Sequence, residues 1–392
     1  MDDISKSSSQ DKSEDNSQDN YGCRYSNSFP AFLLKHRISL AFTSYQASRV
    51  CFLRATDNKI NLHLRAFPRP MGIYADEERI TLGTFSEVID FRRSQSVLDE
   101  VQQGVHDNDA RLSRKLKEKA QQAREIVRLR KNRELEEVKQ ADALYLPRAS
   151  HYSGMINIHD IAWGKSGLWV VNSTFSCLST LSPDSSFVAR WKPWFISELV
   201  PEDRCHVNGM SLRDGDPRYV TTFNQHDHMD SWSQSAIGKG TLIDIEDNRI
   251  ILDDLTMPHS PRYHNGYVYV CNSGNGTVLK VNPDTGVTQT ILELPGFTRG
   301  ISFYKNYMFV GTSKTRKSEV REQIPLLNKY DTTQSGVWVY NFDTNAIIDH
   351  LIFDDSLEQI YDIAVIPEST TPELVSPQMV TPRHMFDVKD AI

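Results

Sequence analysis

Six short segments spread along this 392-residue chain each open with a side chain able to hold an anion, a proton or a metal ion. They are PRPMGI at Pro68, IHDIAW at Ile158, CHVNGM at Cys205, PHSPRY at Pro258, TRGISF at Thr298 and IYDIAV at Ile360. Aligned, they put Arg69, His159, His206, His259, Arg299 and Tyr361 at one repeated position. Three imidazoles from successive repeats suit Zn, Fe or Cu better than Ca or Mg, which favour oxygen ligands. His159, His206 and His259 are therefore candidate metal ligands, with a fourth position open to water, dioxygen or substrate. Tyr361 is a candidate hydrogen-bond or proton donor, and Asp160 and Asp362 are candidates to orient an imidazole or act as a base. A divalent cation beside Arg69 and Arg299 needs an accompanying anion, which a small anionic substrate would supply. Without a metal, the same His and Arg set can hold sulfate, phosphate or carboxylate through charge-assisted hydrogen bonds, one His acting as nucleophile or proton carrier. The plainest alternative is that the histidines bond backbone carbonyls around a plugged channel.

The elements that must carry these residues show as a repeat. LWVVNSTFSCLSTLSPDSSFVARW from Leu168, YVYVCNSGNGTVLKVNPDTGVTQTIL from Tyr267 and SLAFTSYQASRVCFLRATDNKINLHL from Ser39 share one pattern. Each is a strand ending in a small polar pair (Asn172-Ser173, Asn272-Ser273, Thr43-Ser44), then a tight turn and two further strands. Five signatures precede such a unit, whereas IYDIAV has none after it and the unit at Ser39 has no signature before it. Joining these two closes a ring, which removes the exposed sheet edges. The expectation is an all-β, six-bladed β-propeller over 28–367, closed by N- and C-terminal strands, with the signature residues around one mouth of its channel. The innermost strand begins at that mouth, so loops between its second and third strands should surround it. Two insertions fall there: 224–240, with His226, Asp227, His228, Asp230 and Trp232, and the stretch from Ser313 with Lys314, Arg316 and Lys317. His226, His228, Arg316 and Lys317 join Arg69 and Arg299 as candidate substrate contacts, on loops placed to close over a ligand.

The segment 94–141 reads as a charged helical insertion, with Leu112, Leu116, Ala120, Ala123 and Val127 along one face. From 111 to 139 it carries eleven basic and five acidic residues, so an acidic partner is one reading and a solvated helix on the propeller flank the other. Residues 1–27 are almost wholly polar and are expected to be a disordered tail; 368–392, rich in proline, is expected to be a loosely held one. A net charge of -7 makes nucleic acid an unlikely partner. No run is apolar enough for a membrane span, and the N-terminus lacks a secretory signal, so the expected location is cytoplasmic. The five cysteines show no CxxC pair. Walker A, GxGxxG, GxSxG and HExxH motifs are missing from the sequence.

HDIAW at His159, EDRCHVNGM at Glu202, MPHSPR at Met257 and LPGFTRG at Leu294 resemble the motifs of an uncharacterised, mostly bacterial propeller family of conserved hypothetical proteins. TSYQA at Thr43, FPRPMG at Phe67 and YLPR at Tyr145 extend the resemblance over about Phe29 to Pro367. It implies a shorter segment where this chain has its charged helix, and a Glu where Gln359 stands. In outline alone the expected architecture is also similar to the propellers of arylsulfate sulfotransferases. The leading expectation is a metal-dependent enzyme acting on a small anionic molecule or modified peptide. The others are a metal-free His/Arg anion-transfer enzyme and a non-catalytic propeller that binds a glycan or protein.

Overall fold

The computed structural model describes residues 22–105, 119–316, 323–354, 357–381 and 385–388. Short β-branched and aromatic runs separated by turn residues give strands arranged as six sheets around an axis. Blade 1 is Ile73–Ala75, Arg79–Gly83, Glu87–Arg93 and Ala143–Tyr152, and blade 2 is Ile158–Gly164, Gly167–Asn172, Cys177–Ser182 and Ser185–Trp191. Blade 3 is Val207–Arg213, Asp216–Thr222, Gly240–Asp244 and Arg249–Leu255; blade 4 is Pro258–His264, Tyr267–Asn272, Thr277–Val281 and Thr288–Glu293. Blade 5 is Phe297–Tyr304, Tyr307–Ser313, Gly336–Asn341 and Ala346–Phe353. Blade 6 closes the ring as expected: Ile363–Pro367 lies inside Ile38–Ser44, Arg49–Thr56 and Lys59–Ala66, all antiparallel.

Neighbouring innermost strands touch in ring order. Apolar side chains on facing sheets fill the wedges between blades; Leu40, Phe42 and Leu53 pack with Phe309 and Val337, and Phe52 packs with Ile73, Leu82 and Phe91. Turns such as Asp57-Asn58 and Asn265-Gly266 have both residues at positive φ, the geometry whose twist matches paired strands.

Both tail boundaries need correction. Most of 1–27 lies outside the described residues, but Cys23–Tyr25 adds a fifth strand to blade 5, and α1 (Phe29–His36) buries Phe29 and Leu33 against blade 6. The stretch after Pro367 is not loose. Pro372–Leu374 pairs parallel with Ala143–Tyr145, and Val375, Met379 and Met385 are buried against α2 (Gln95–Gln102) and α3 (Lys119–Lys139). Glu373 is fully buried, and Arg65 binds both it and Glu137 of α3, tying the segment to blade 6. α3 thus lies on the propeller flank through Leu135 and Val138; Leu112 and Leu116 of the expected stripe fall outside the described residues. No helix among the described residues is long and apolar enough to cross a membrane.

Candidate functional site: the axial mouth

Five of the six signature residues reach the axis through a local irregularity. Strand register shifts beside His159, His206, His259 and Arg299, and Arg69 and His206 adopt left-handed φ of 46° and 50°. A bulge turns one side chain out of the strand's alternation, and such strained residues gather at functional sites. The small polar pairs fix the result. Ser173 donates to the carbonyl of Val207, next to His206. Ser313 donates to the Ile360 carbonyl at 2.8 Å and accepts the Ile360 N–H at 3.0 Å, just before Tyr361. Thr43 accepts the Tyr361 N–H on its carbonyl at 2.7 Å, and Ser273 Oγ lies 2.8 Å from His259 Nδ1. The end of one blade's second strand therefore positions an axial residue.

The rings form a continuous chain around the mouth. His159 meets His206 edge-on, with centroids 4.6 Å apart, and Tyr361 at 5.4 Å. His206 lies 4.2 Å from Trp232 and 4.5 Å from Phe223; Phe223 and Phe297 enclose His259 at 5.3 and 5.4 Å. Arg299 sits 3.6 Å over the Tyr361 ring, Tyr361 meets Tyr45 at 5.5 Å, and Tyr45 has Arg316 at 4.5 Å and Arg69 at 6.0 Å.

This mouth is rich in positive charge and in hydrogen-bond donors. None of Arg69, Arg299 and Arg316 forms an ion pair with an acidic residue among the described residues. Arg299 is only 5% exposed, and its Nε, the Tyr361 hydroxyl and Trp232 Nε1 are buried with no hydrogen-bond partner. Burial, then its neighbours His206 and Arg299, hold His159 well below the ordinary histidine range, so it is neutral. The Asn208 amide donates to His159 Nδ1 at 3.0 Å, which puts the His159 proton on Nε2; this tautomer follows from the network. His206 has the opposite arrangement: Nδ1 bonds Asp203 Oδ2 at 2.7 Å, leaving Nε2 as the basic nitrogen. His259 Nδ1 donates to the Met257 carbonyl at 2.9 Å. Burial pushes the Tyr361 phenol far above its usual range.

Below the mouth the channel has a polar waist. Arg262 takes Asp160 bidentately at 2.7 and 3.1 Å and Asp362 at 3.6 Å. Asp160 also accepts the N–H of Met210 at 3.0 Å and of Ile161 at 2.9 Å; Asp362 accepts those of Ile73 at 3.2 Å and Ile363 at 2.9 Å. Burial raises Asp362 to about 7, against the pull of Arg262. Beneath the waist, a cavity of about 270 Å³ is lined by all six innermost strands.

The family model described as Domain of unknown function (DUF4915) matches residues 27–375. The chain belongs to that family. Among curated proteins no match was found. Among solved structures the DUF4915 chain is similar to one titled Crystal structure of Nidogen/Laminin Complex, at 11% identity and a TM-score of 0.48, covering 84% of this chain and 99% of that one. It is also similar to TolB from Acinetobacter baumannii, at 8% identity and a TM-score of 0.41, covering 86% of this chain and 66% of that one.

The expected site residues of this DUF4915 protein divide into three groups. Arg69, His159, His206, Arg299, Arg316 and Tyr361 come together at the mouth, with His259 beside them under Phe223 and Phe297. Asp160 and Asp362 do not serve an imidazole; the waist consumes both carboxylates, because backbone N–H groups of neighbouring blades and Arg262 claim their oxygens. His226 and His228 are exposed on their loop, where Asp227 bonds Arg204 at 2.7 Å, and Lys317 lies outside the described residues. The sequence did not reveal Tyr45, Asp203, Asn208, Phe223 or Phe297 as parts of the site.

The donor atoms of His63, Glu137 and Glu373 lie within 4.8 Å of one another, a spacing that can hold a metal ion. Among the described residues this is the group so spaced, and the axial histidines are not part of it. Arg65 already binds both of its carboxylates, at 2.7 and 2.6 Å.

Proposed function

We propose that the axial mouth binds a small anion and that His206, oriented by Asp203, moves a proton to or from it. The observation that carries this reading is Arg299: a buried guanidinium with an orphaned Nε, stacked on Tyr361, with Arg69 and Arg316 nearby and no carboxylate against any of the three among the described residues. An uncompensated buried charge is costly, and a bound anion relieves that cost. The chemistry follows from the donors: the Arg69, Arg299 and Arg316 guanidiniums, His159 Nε2–H and the Tyr361 hydroxyl hold the anion, and His206 Nε2 takes the proton. Asp203 keeps that imidazole in the right tautomer and stabilises it once protonated.

The test is a calorimetric titration with sulfate, phosphate, malonate and acetate. At least one should bind, Arg299→Met should abolish the heat, and His206→Gln should leave most of it. Wild-type protein that binds none of them at millimolar concentration sinks the proposal. If His206→Gln retains binding and no substrate analogue shows a His206-dependent reaction, the site is a binding module instead.

A second reading keeps the transition metal. His206 and His259 both place the Nδ1 proton on an oxygen acceptor, the arrangement that presents Nε2 to an ion. Elemental analysis separates the two: near-stoichiometric Zn, Fe or Cu that disappears in His206→Ala supports the metal.

A further inference from the structure

We infer that the anion taken by this mouth is a doubly charged tetrahedral oxyanion, of the kind a phosphomonoester presents. This inference rests on the anion reading above and specifies its ligand.

Arg69, Arg299 and Arg316 bring three positive charges to the mouth, as the contacts through Tyr45 and Tyr361 show. Asp203, bonded to His206, is the carboxylate on the opposite side of the ring. His159 is neutral, and at the rim Lys314 and Glu358, joined N–H to carbonyl at 2.8 Å, carry opposite charges. The waist below is a separate group, in which Arg262 and backbone N–H groups hold Asp160 and Asp362. At the mouth itself two positive charges remain. A monoanion would leave one of them uncompensated in a partly buried site, whereas a dianion meets both.

Arg299 lies 3.6 Å over the Tyr361 ring, Arg316 lies 4.5 Å over the Tyr45 ring, and Arg69 is 6.0 Å from the Tyr45 centroid. A guanidinium carries five N–H donors, so a ring contact leaves donors for an acceptor. Together with His159 Nε2–H and the Tyr361 hydroxyl, these donors come from four consecutive blades of the ring, 5, 6, 1 and 2. A carboxylate offers two oxygens in one plane, but a phosphoryl group offers three that diverge, which suits donors arriving from several sides.

Isosteric ligands test charge apart from shape. Phenyl phosphate is a dianion above its second ionisation, at about pH 6 as in phosphotyrosine, whereas phenyl sulfate remains a monoanion throughout. Calorimetry on the full chain at pH 7.5 should show phenyl phosphate binding at least about tenfold more tightly, a difference that closes toward unity at pH 5. Phenyl sulfate corrects for titration of the protein itself. Arg316→Met should weaken both esters, the dianion more, and bring the ratio at pH 7.5 to within about threefold. Equal affinities for the two esters at pH 7.5 would overturn the dianion inference and leave the anion reading standing. Malonate bound more tightly than phenyl phosphate would overturn the tetrahedral part. No binding by any anion would remove both.

Discussion

The guanidinium of Arg299 lies 3.6 Å over the ring of Tyr361, and the two residues leave their Nε–H and hydroxyl without hydrogen-bond partners. Cation and ring hold each other in place. Tyr361→Phe should therefore cost the fold little, because it removes a buried hydroxyl that has no partner; the expected change is within about 1 kcal/mol and can be stabilising. Anion affinity should fall about five- to tenfold. Denaturant unfolding and calorimetry on the same preparation check both halves; a large loss of stability with unchanged affinity would assign the hydroxyl a structural role.

Asp203→Asn should separate binding from proton transfer. The amide retains a hydrogen-bond partner for His206 Nδ1, 2.7 Å away in the native protein, but removes the charge that favours the imidazolium. His206-dependent turnover of a substrate analogue should fall about tenfold in the variant, with anion affinity at pH 8 changed less than threefold. Unchanged turnover would mean that Asp203 acts only on the loop that carries it.

The propeller was legible because one signature recurs six times, and the orphan unit at Ser39 could be matched to the orphan signature at Ile360. The polar pairs Asn172-Ser173 and Asn272-Ser273 were visible for the same reason, although their work of bonding axial residues was not. Asp160 and Asp362 were misread because their partners, the N–H groups of Met210 and Ile73, belong to neighbouring blades, and no sequence spacing encodes that contact. Glu373 looked like part of a polar tail for a related reason. Its partner Arg65 lies 308 residues earlier.

Truncation after Pro367 should therefore damage the fold. It would remove Leu374, Val375 and Met379 from the core they share with α2, α3 and blade 1, and leave Arg65 and His63 without Glu373. Each buried apolar side chain is worth about 1.5–3 kcal/mol, so a loss of several kcal/mol is expected. Glu373→Gln in the full chain should reproduce part of it. A truncated protein that melts like the intact one would return this segment to the status of a tail.

Acid should destabilise the protein in part through His159. Its folded pKa is depressed by burial and by the positive groups around it, whereas the unfolded imidazole takes up a proton near 6.5. Below that value the unfolded state binds more protons, so stability is present above it and is lost as pH falls toward the folded pKa, at up to about 1.4 kcal/mol per pH unit. His36, His63 and His264 are depressed too and add to the same slope; Asp362, raised to about 7, opposes it. Urea unfolding between pH 7 and 5 should show a shallower loss for His159→Gln than for wild type. Parallel curves would mean that His159 is not held neutral.

Among single substitutions the strongest stability effect should come from the waist. Arg262 is the cation between Asp160 and Asp362, and its guanidinium also meets the carbonyls of Met210 and Pro261 at 3.0 and 2.9 Å. Arg262→Met leaves two buried carboxylates with backbone N–H groups alone, and breaking a buried pair in this way costs about 3–5 kcal/mol. Adding Asp160→Asn removes the stranded charge while the amide oxygen can still accept the Met210 N–H, so the double variant should be more stable than Arg262→Met alone. That rescue separates a charge penalty from simple loss of packing. If the double variant is no better than the single one, Arg262 supports the channel chiefly by its bulk.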